Sequence, residues 1–215
     1  MWNFISSLLK RKPPTVKQSL MVAECGPRAL ALILTFEGLD QPWDRPPGAS
    51  GITIGVGFDL GYCTIDELTE AWGGHLDDKS MSVLRLAVGK RGADAEAIES
   101  RMRDCERIGK DVAYEVFRRC TLPKWTTATA KVFPGLHVLT PDQQGVLVSL
   151  VFNRGASLAG PRRREMANIH DILENPSVQN KPSAIAQELR NMCRLWPDIP
   201  GLQRRRVAEA NLMTS

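Results

Sequence analysis

Between Asp44 and Gly61 a chain otherwise patterned for helices breaks into turns and one short glycine-rich extended run, GITIGVGFD. The run alternates with period two, so Ile52, Ile54, Val56 and Phe58 share one face and Thr53, Gly55, Gly57 and Asp59 the other. A straight strand would hold Thr53 and Asp59 about 20 Å apart. The glycines instead predict a sharp bend or hairpin that folds the two back together and leaves room for a bulky ligand. Pro46, Pro47 and Gly48 predict a loop leading into it.

What surrounds this segment reads as helix. Leu30, Ile33, Leu34 and Glu37 fall at i, i+3, i+4 and i+7, which places Glu37 on the buried-side stripe of a helix that ends there, with a break near Gly26-Pro27. Thr64-Ile65-Asp66-Glu67 is a capping box opening a short helix to about Trp72. Further helices are expected near 80–88, 93–107, 110–120 and 124–132. Thr140-Pro141-Asp142-Gln143 combines an N-cap, a first-turn proline and a glutamine three residues on. The helix it opens, QQGVLVSLVFN, is apolar nearly all round and reads as the central core helix, ending at Asn153-Arg154-Gly155. Helices at 163–174, 183–195 and 201–213 complete the chain. The fold class is α+β: a small lobe with a β-hairpin joined to a larger helical lobe, with a cleft between them.

At 215 residues, with 43 % apolar and 24 % charged, the chain has the makings of one globular domain with a real core. Residues 1–18 read as a lead-in, interrupted by Pro13 and Pro14, and 19–215 as the folded domain. The apolar run before Lys10, Arg11 and Lys12 reverses the charge order of a secretory signal, so synthesis in the cytoplasm without a signal peptide is expected. No stretch approaches the roughly 20 apolar residues that span a bilayer. Cys25, Cys63, Cys105, Cys120 and Cys193 are scattered, and with only His75, His137 and His170 beside them no metal site, cofactor or disulfide framework is expected. The net charge of +4 favours an anionic polymer, wall or nucleic acid, without choosing between them.

An acid in an apolar setting, followed by a hydroxyl and a second carboxylate on a hairpin, suits glycoside cleavage, which takes two carboxyl groups flanking the scissile bond. Glu37 is the candidate acid, because an apolar setting disfavours the charged form and so suits proton donation.

The EG of Glu37-Gly38, a loop, and then TIGxG resemble the phage-type lysozymes, muramidases that cut bacterial peptidoglycan. LTPDQQGVLVSLVFNRG resembles that family's central helix, and LWPDIPGLQRRRVAEANL its closing segment. In the usual phage enzymes the catalytic aspartate precedes the threonine by a few residues; here Asp44 stands nine positions before Thr53. The TIGxGxD order is similar to the pesticin-like branch of bacteriocin and secreted-effector muramidases, where the functional aspartate follows the threonine, and maps onto Thr53 and Asp59. Strand alternation also favours Asp59 over Asp44.

The resemblance implies a lysozyme-like fold acting on the bond between N-acetylmuramic acid and N-acetylglucosamine. Glu37 then protonates the glycosidic oxygen, and Asp59 with Thr53 positions water in an inverting arrangement. It further implies peptidoglycan as partner, delivery to the periplasmic wall by a holin or a secretion machine, and room for an immunity protein. Asn153 and Arg154 are the substrate-binding candidates, at the polar end of the central helix. The triplets Arg162–Arg164 and Arg204–Arg206 read first as solvated faces and second as grips on acidic wall groups; Trp125 and Trp196 read as packing residues. Two other readings stand beside the hydrolase: a wall-binding module of the same fold with little turnover, and a basic helical nucleic-acid-binding protein, which leaves the hairpin unexplained.

Overall fold

The structure is a computed structural model that describes residues 22–44 and 49–215. The lead-in assigned to 1–18, the first residues of the domain assigned to 19–215, and the loop expected at Pro46, Pro47 and Gly48, with Arg45 before it, lie outside the described residues. The rest is mostly helical: α1 (Pro27–Glu37), a hairpin of β1 (Thr53–Ile54) and β2 (Phe58–Asp59), then α2 (Ile65–Trp72), α3 (Asp78–Arg85), α4 (Ala93–Glu96), α5 (Lys110–Val116), α6 (Leu122–Val132), α7 (Pro141–Arg154), α8 (Arg164–Glu174), α9 (Lys181–Asn191) and α10 (Pro200–Met213). Helices plus a small antiparallel sheet make it α+β. None of the described helices is long and apolar enough to cross a membrane.

Both capping boxes form. Thr64 accepts from the Glu67 N–H and Glu67 reaches back to Thr64, and Thr140 and Gln143 do the same at the start of α7. The helix expected over 93–107 divides into α4 and a 3₁₀ turn over Glu99–Asp104. The one expected over 110–120 ends early at Val116 and passes through a π-helical stretch, Phe117–Thr121, into α6.

α7 is the axis of the molecule: Gln144 through Val151 are all buried, and it packs against α1, α6 and α10. The α1 crossing is close, since a Cβ on Gly145 would sit 2.4 Å from Cβ of Ala29. Gly26 offers α1 no side-chain cap, and α7 supplies one instead. Asp142 Oδ1 accepts from the N–H groups of Arg28 (3.0 Å) and Ala29 (3.1 Å), meeting two orphan donors with a charge suited to the positive end of the helix. α1 is thereby fixed at its start, and its eleven residues carry Glu37 roughly 16 Å onward.

The hairpin is short and tightly specified. Thr53 pairs with Asp59 and Ile54 with Phe58, leaving Gly55-Val56-Gly57 as the connection. Gly55 and Gly57 have φ of 62° and 63°, a region where a Cβ is strained. A side chain at Gly55 would also strike the Trp72 ring at 2.6 Å, and one at Gly57 the Phe152 ring at 2.6 Å. Ile52, Ile54 and Val56 are buried, but so are Thr53 and Gly55 between them, so burial does not alternate along the run; Phe58 is half-buried with its ring edge-on to Trp72, centroids 6.0 Å apart.

Candidate active site

Glu37 is the last residue of α1; Gly38, at φ 69°, then turns the chain away. The chain next reaches the hairpin. Asp40 exchanges both backbone hydrogen bonds with Gly55, at 2.8 and 2.9 Å, so the glutamate-bearing helix end is tied to the hairpin's connection. Gln41 holds the same segment from the other side, its amide donating to the Ile108 carbonyl and accepting from the Ile108 N–H.

The surroundings of Glu37 differ from the apolar pocket expected. Its carboxylate, with a side chain 17 % exposed, accepts from Nη1 of Arg205. Arg205 is itself buried and donates to the Ser149 carbonyl and hydroxyl at 3.1 and 3.0 Å and to Glu209 at 3.2 Å. Glu209 Oε1 also accepts from Ser149 Oγ (2.6 Å) and Arg206 Nη2 (2.7 Å). Two of the three arginines of 204–206 are therefore interior residues, and only Arg204 faces solvent as a solvated run would. The signal in the sequence was the spacing of Glu209, three and four residues after Arg206 and Arg205.

Thr53 and Asp59 stand opposite each other on the hairpin, hence on one face of it. Thr53 is buried. Asp59 accepts from the N–H groups of Gly61 (2.8 Å) and Gly51 (3.4 Å), which anchor the carboxylate. Burial pushes the Asp59 carboxyl above its ordinary value, against those two hydrogen bonds and the charge of Arg91. It borders a cavity of about 740 Å³, which runs from Gly57, Phe58 and Asp59 across to Thr121, Lys124 and Trp125. Trp125 lines the cavity and also packs edge-on against Phe152, centroids 5.3 Å apart. Cys63 also lines the cavity; burial lifts its pKa to about 11, so it is a neutral thiol and a poor nucleophile near neutral pH.

Thr53 and Asp59 thus come together as expected, but neither Glu37 nor Thr53 is among the residues lining the cavity. Asp40 is a carboxylate within electrostatic reach of Glu37 that the sequence patterns do not single out. Burial raises the Asp40 carboxyl to about 6, and the charges of Glu37 and Asp44 add to the effect while the Gly57 N–H opposes it. Only its position three residues after Glu37 marked it in the sequence; it lies past the helical stripe and before the alternating run. Asp44 is exposed, its N–H donating to the Gln41 carbonyl in a turn.

Asn153 and Arg154, at the end of α7, are half-buried. Their helix end touches the hairpin through Phe152, the residue that fills the space over Gly57. Among the described residues no group of three or more His, Cys, Asp or Glu side chains is placed to hold a metal ion. No family model and no curated protein matches this chain.

Proposed function

We propose that this protein is a glycoside hydrolase of peptidoglycan, cleaving between N-acetylmuramic acid and N-acetylglucosamine in a lysozyme-like cleft between the hairpin and the helices. The observation that carries the proposal is the register of the hairpin. It sets Thr53 directly opposite Asp59, beside a cavity, on a loop that is bridged back to the helix end bearing Glu37. In this account Glu37 protonates the leaving oxygen, and Asp59 with Thr53 directs a water at the opposite face of the sugar. Arg205 orients Glu37 in the free protein. When substrate takes over the carboxyl, Arg205 keeps Ser149 and Glu209 as partners, so no guanidinium is left orphaned. Wall polymer in the periplasm is then the target, reached through a holin or a secretion apparatus.

A second assignment of the base has an observation of its own. Asp40, with its carboxyl raised to about 6 and its charge coupled to Glu37, has the ionisation suited to a base near neutral pH. Digesting purified peptidoglycan with the wild type, Asp59→Asn, Asp40→Asn and Asp44→Asn and analysing the products by mass spectrometry separates the choices. Soluble fragments with reducing muramic acid ends are expected from the wild type and Asp44→Asn, with a loss of at least about a hundredfold for Asp59→Asn. Inactive Asp40→Asn beside active Asp59→Asn transfers the base to Asp40. Anhydro-muramic ends would make the reaction a transglycosylation, and no release from any variant or the wild type would end the hydrolase reading.

A further inference from the structure

Four arginines gather where α7 ends: Arg154, the two neighbours Arg162 and Arg163 in the following loop, and Arg206 behind them. The guanidinium of Arg154 lies over the Trp196 ring, its central carbon 4.8 Å from the ring centroid. Its Nη2 donates to the Arg162 carbonyl, and its Nε is buried without a hydrogen-bond partner. Arg162 reaches the chain just before that tryptophan, with Nη2 donating to the Leu195 carbonyl at 3.1 Å. Arg163 lies over Gly155, where a Cβ would stand 3.9 Å from its Nη2, and its Nη1 contacts the Met166 sulfur at 3.4 Å.

The carboxylates nearby are held through Oε1 by other arginines. Glu165 is buried and held by Arg194 at 2.6 Å and Arg164 at 3.3 Å, and Glu209 belongs to Arg205 and Arg206. Among the described residues Arg154, Arg162 and Arg163 form no ion pair. Confined like charges repel most where water is partly excluded. Burial first, then the charges of Arg163, Arg206 and Arg162, lower the Arg154 pKa to about 10, with the charge of Glu165 opposing them in part. A neutral sugar or an apolar partner would leave that repulsion in place. An oxyanion relieves it and matches the planar donor fork that Trp196 holds in position.

We infer that Arg154, Arg162 and Arg163, with Trp196 as their platform, form an oxyanion-binding site for carboxylate or phosphate groups. Its place follows from α7, because Phe152, two residues before Arg154, touches both Gly57 and Trp125 of the cavity wall. Resting on the hydrolase reading, the ligand there is a carboxylate of the peptide stem borne by muramic acid, so the site selects glycan that still carries its peptides.

The test is thermal denaturation and calorimetric titration of the full chain with two probes: inorganic phosphate against chloride at equal ionic strength, and a synthetic stem tripeptide against its amidated, carboxylate-free form. Phosphate should raise the wild-type melting temperature beyond chloride, and Arg154→Gln and Arg163→Gln should each weaken phosphate binding about tenfold or more. Arg163→Gln carries the test if Arg154→Gln fails to fold, and melting in chloride shows which variants are folded. The tripeptide should bind and its amide should not. Equal melting in phosphate and chloride, or an undiminished response in Arg163→Gln, overturns the site. Phosphate binding with equal affinity for tripeptide and amide overturns the stem assignment. Neither probe depends on turnover, so a failure of the hydrolase reading is read separately, from the peptidoglycan digest.

Discussion

Asp40 costs the native fold stability only when its carboxyl is ionised. Its carboxyl is raised from 3.8 to about 6, so between those values the folded state binds a proton that the unfolded chain releases. Stability from this group is therefore fully present below about pH 4 and lost as pH rises through 6. Asp40→Asn should be more stable than the wild type at pH 7.5, by roughly 1–2 kcal/mol once solvent screening of a half-buried group is allowed for, and no more stable at pH 3.5. Urea melts at the two pH values measure the difference. The residue scale is also where the sequence was least complete. The Thr53–Asp59 pairing was legible, because period-two alternation and two glycines admit few alternatives. Asp40 was not, since neither a helical nor a strand period includes it. The burial of Arg205 and Arg206 was not either, because arginines followed by a glutamate at i+3 and i+4 look the same on a solvated helix face as on a buried one.

At the scale of elements the sequence was read most fully, because helix starts are written in short local codes. Thr64 with Glu67 and Thr140 with Gln143 announced α2 and α7, and both boxes close. The cap of α1 carried no such code: it comes from Asp142, more than a hundred residues on, and only tertiary packing brings it there. Asp142→Ala should cost about 1–2 kcal/mol, seen as a lower denaturant midpoint with an unchanged slope. The hairpin makes a sharper prediction. Gly57→Ala combines a left-handed backbone with a clash against the Phe152 ring, so a loss of about 2–3 kcal/mol is expected by chemical denaturation. An alanine variant as stable as the wild type would mean that the hairpin turns differently from the structure described.

For the molecule as a whole, the polar network behind Glu37 does what no single helix can. Arg205 joins the end of α1 to Ser149 in the middle of α7 and to Glu209 on α10, so three elements distant in sequence are held in one register. Glu209 and Arg206 are wholly buried, and removing one partner strands charge in the interior. Glu209→Leu should therefore cost about 3–5 kcal/mol in equilibrium unfolding, far more than an exposed pair such as Glu115 with Arg119. That network holds the Glu37 carboxyl, the Asp40–Gly55 bridge ties its helix end to the hairpin bearing the second candidate carboxyl, and the hydrolase account stands on Glu37. The most direct measurement is the initial rate of reducing-sugar release from purified peptidoglycan by the wild type and by Glu37→Gln, with both confirmed folded by circular dichroism. The account predicts steady release by the wild type and a rate at least about a hundredfold lower for the variant. Equal rates, in a variant that has lost nothing but the carboxyl, would contradict it.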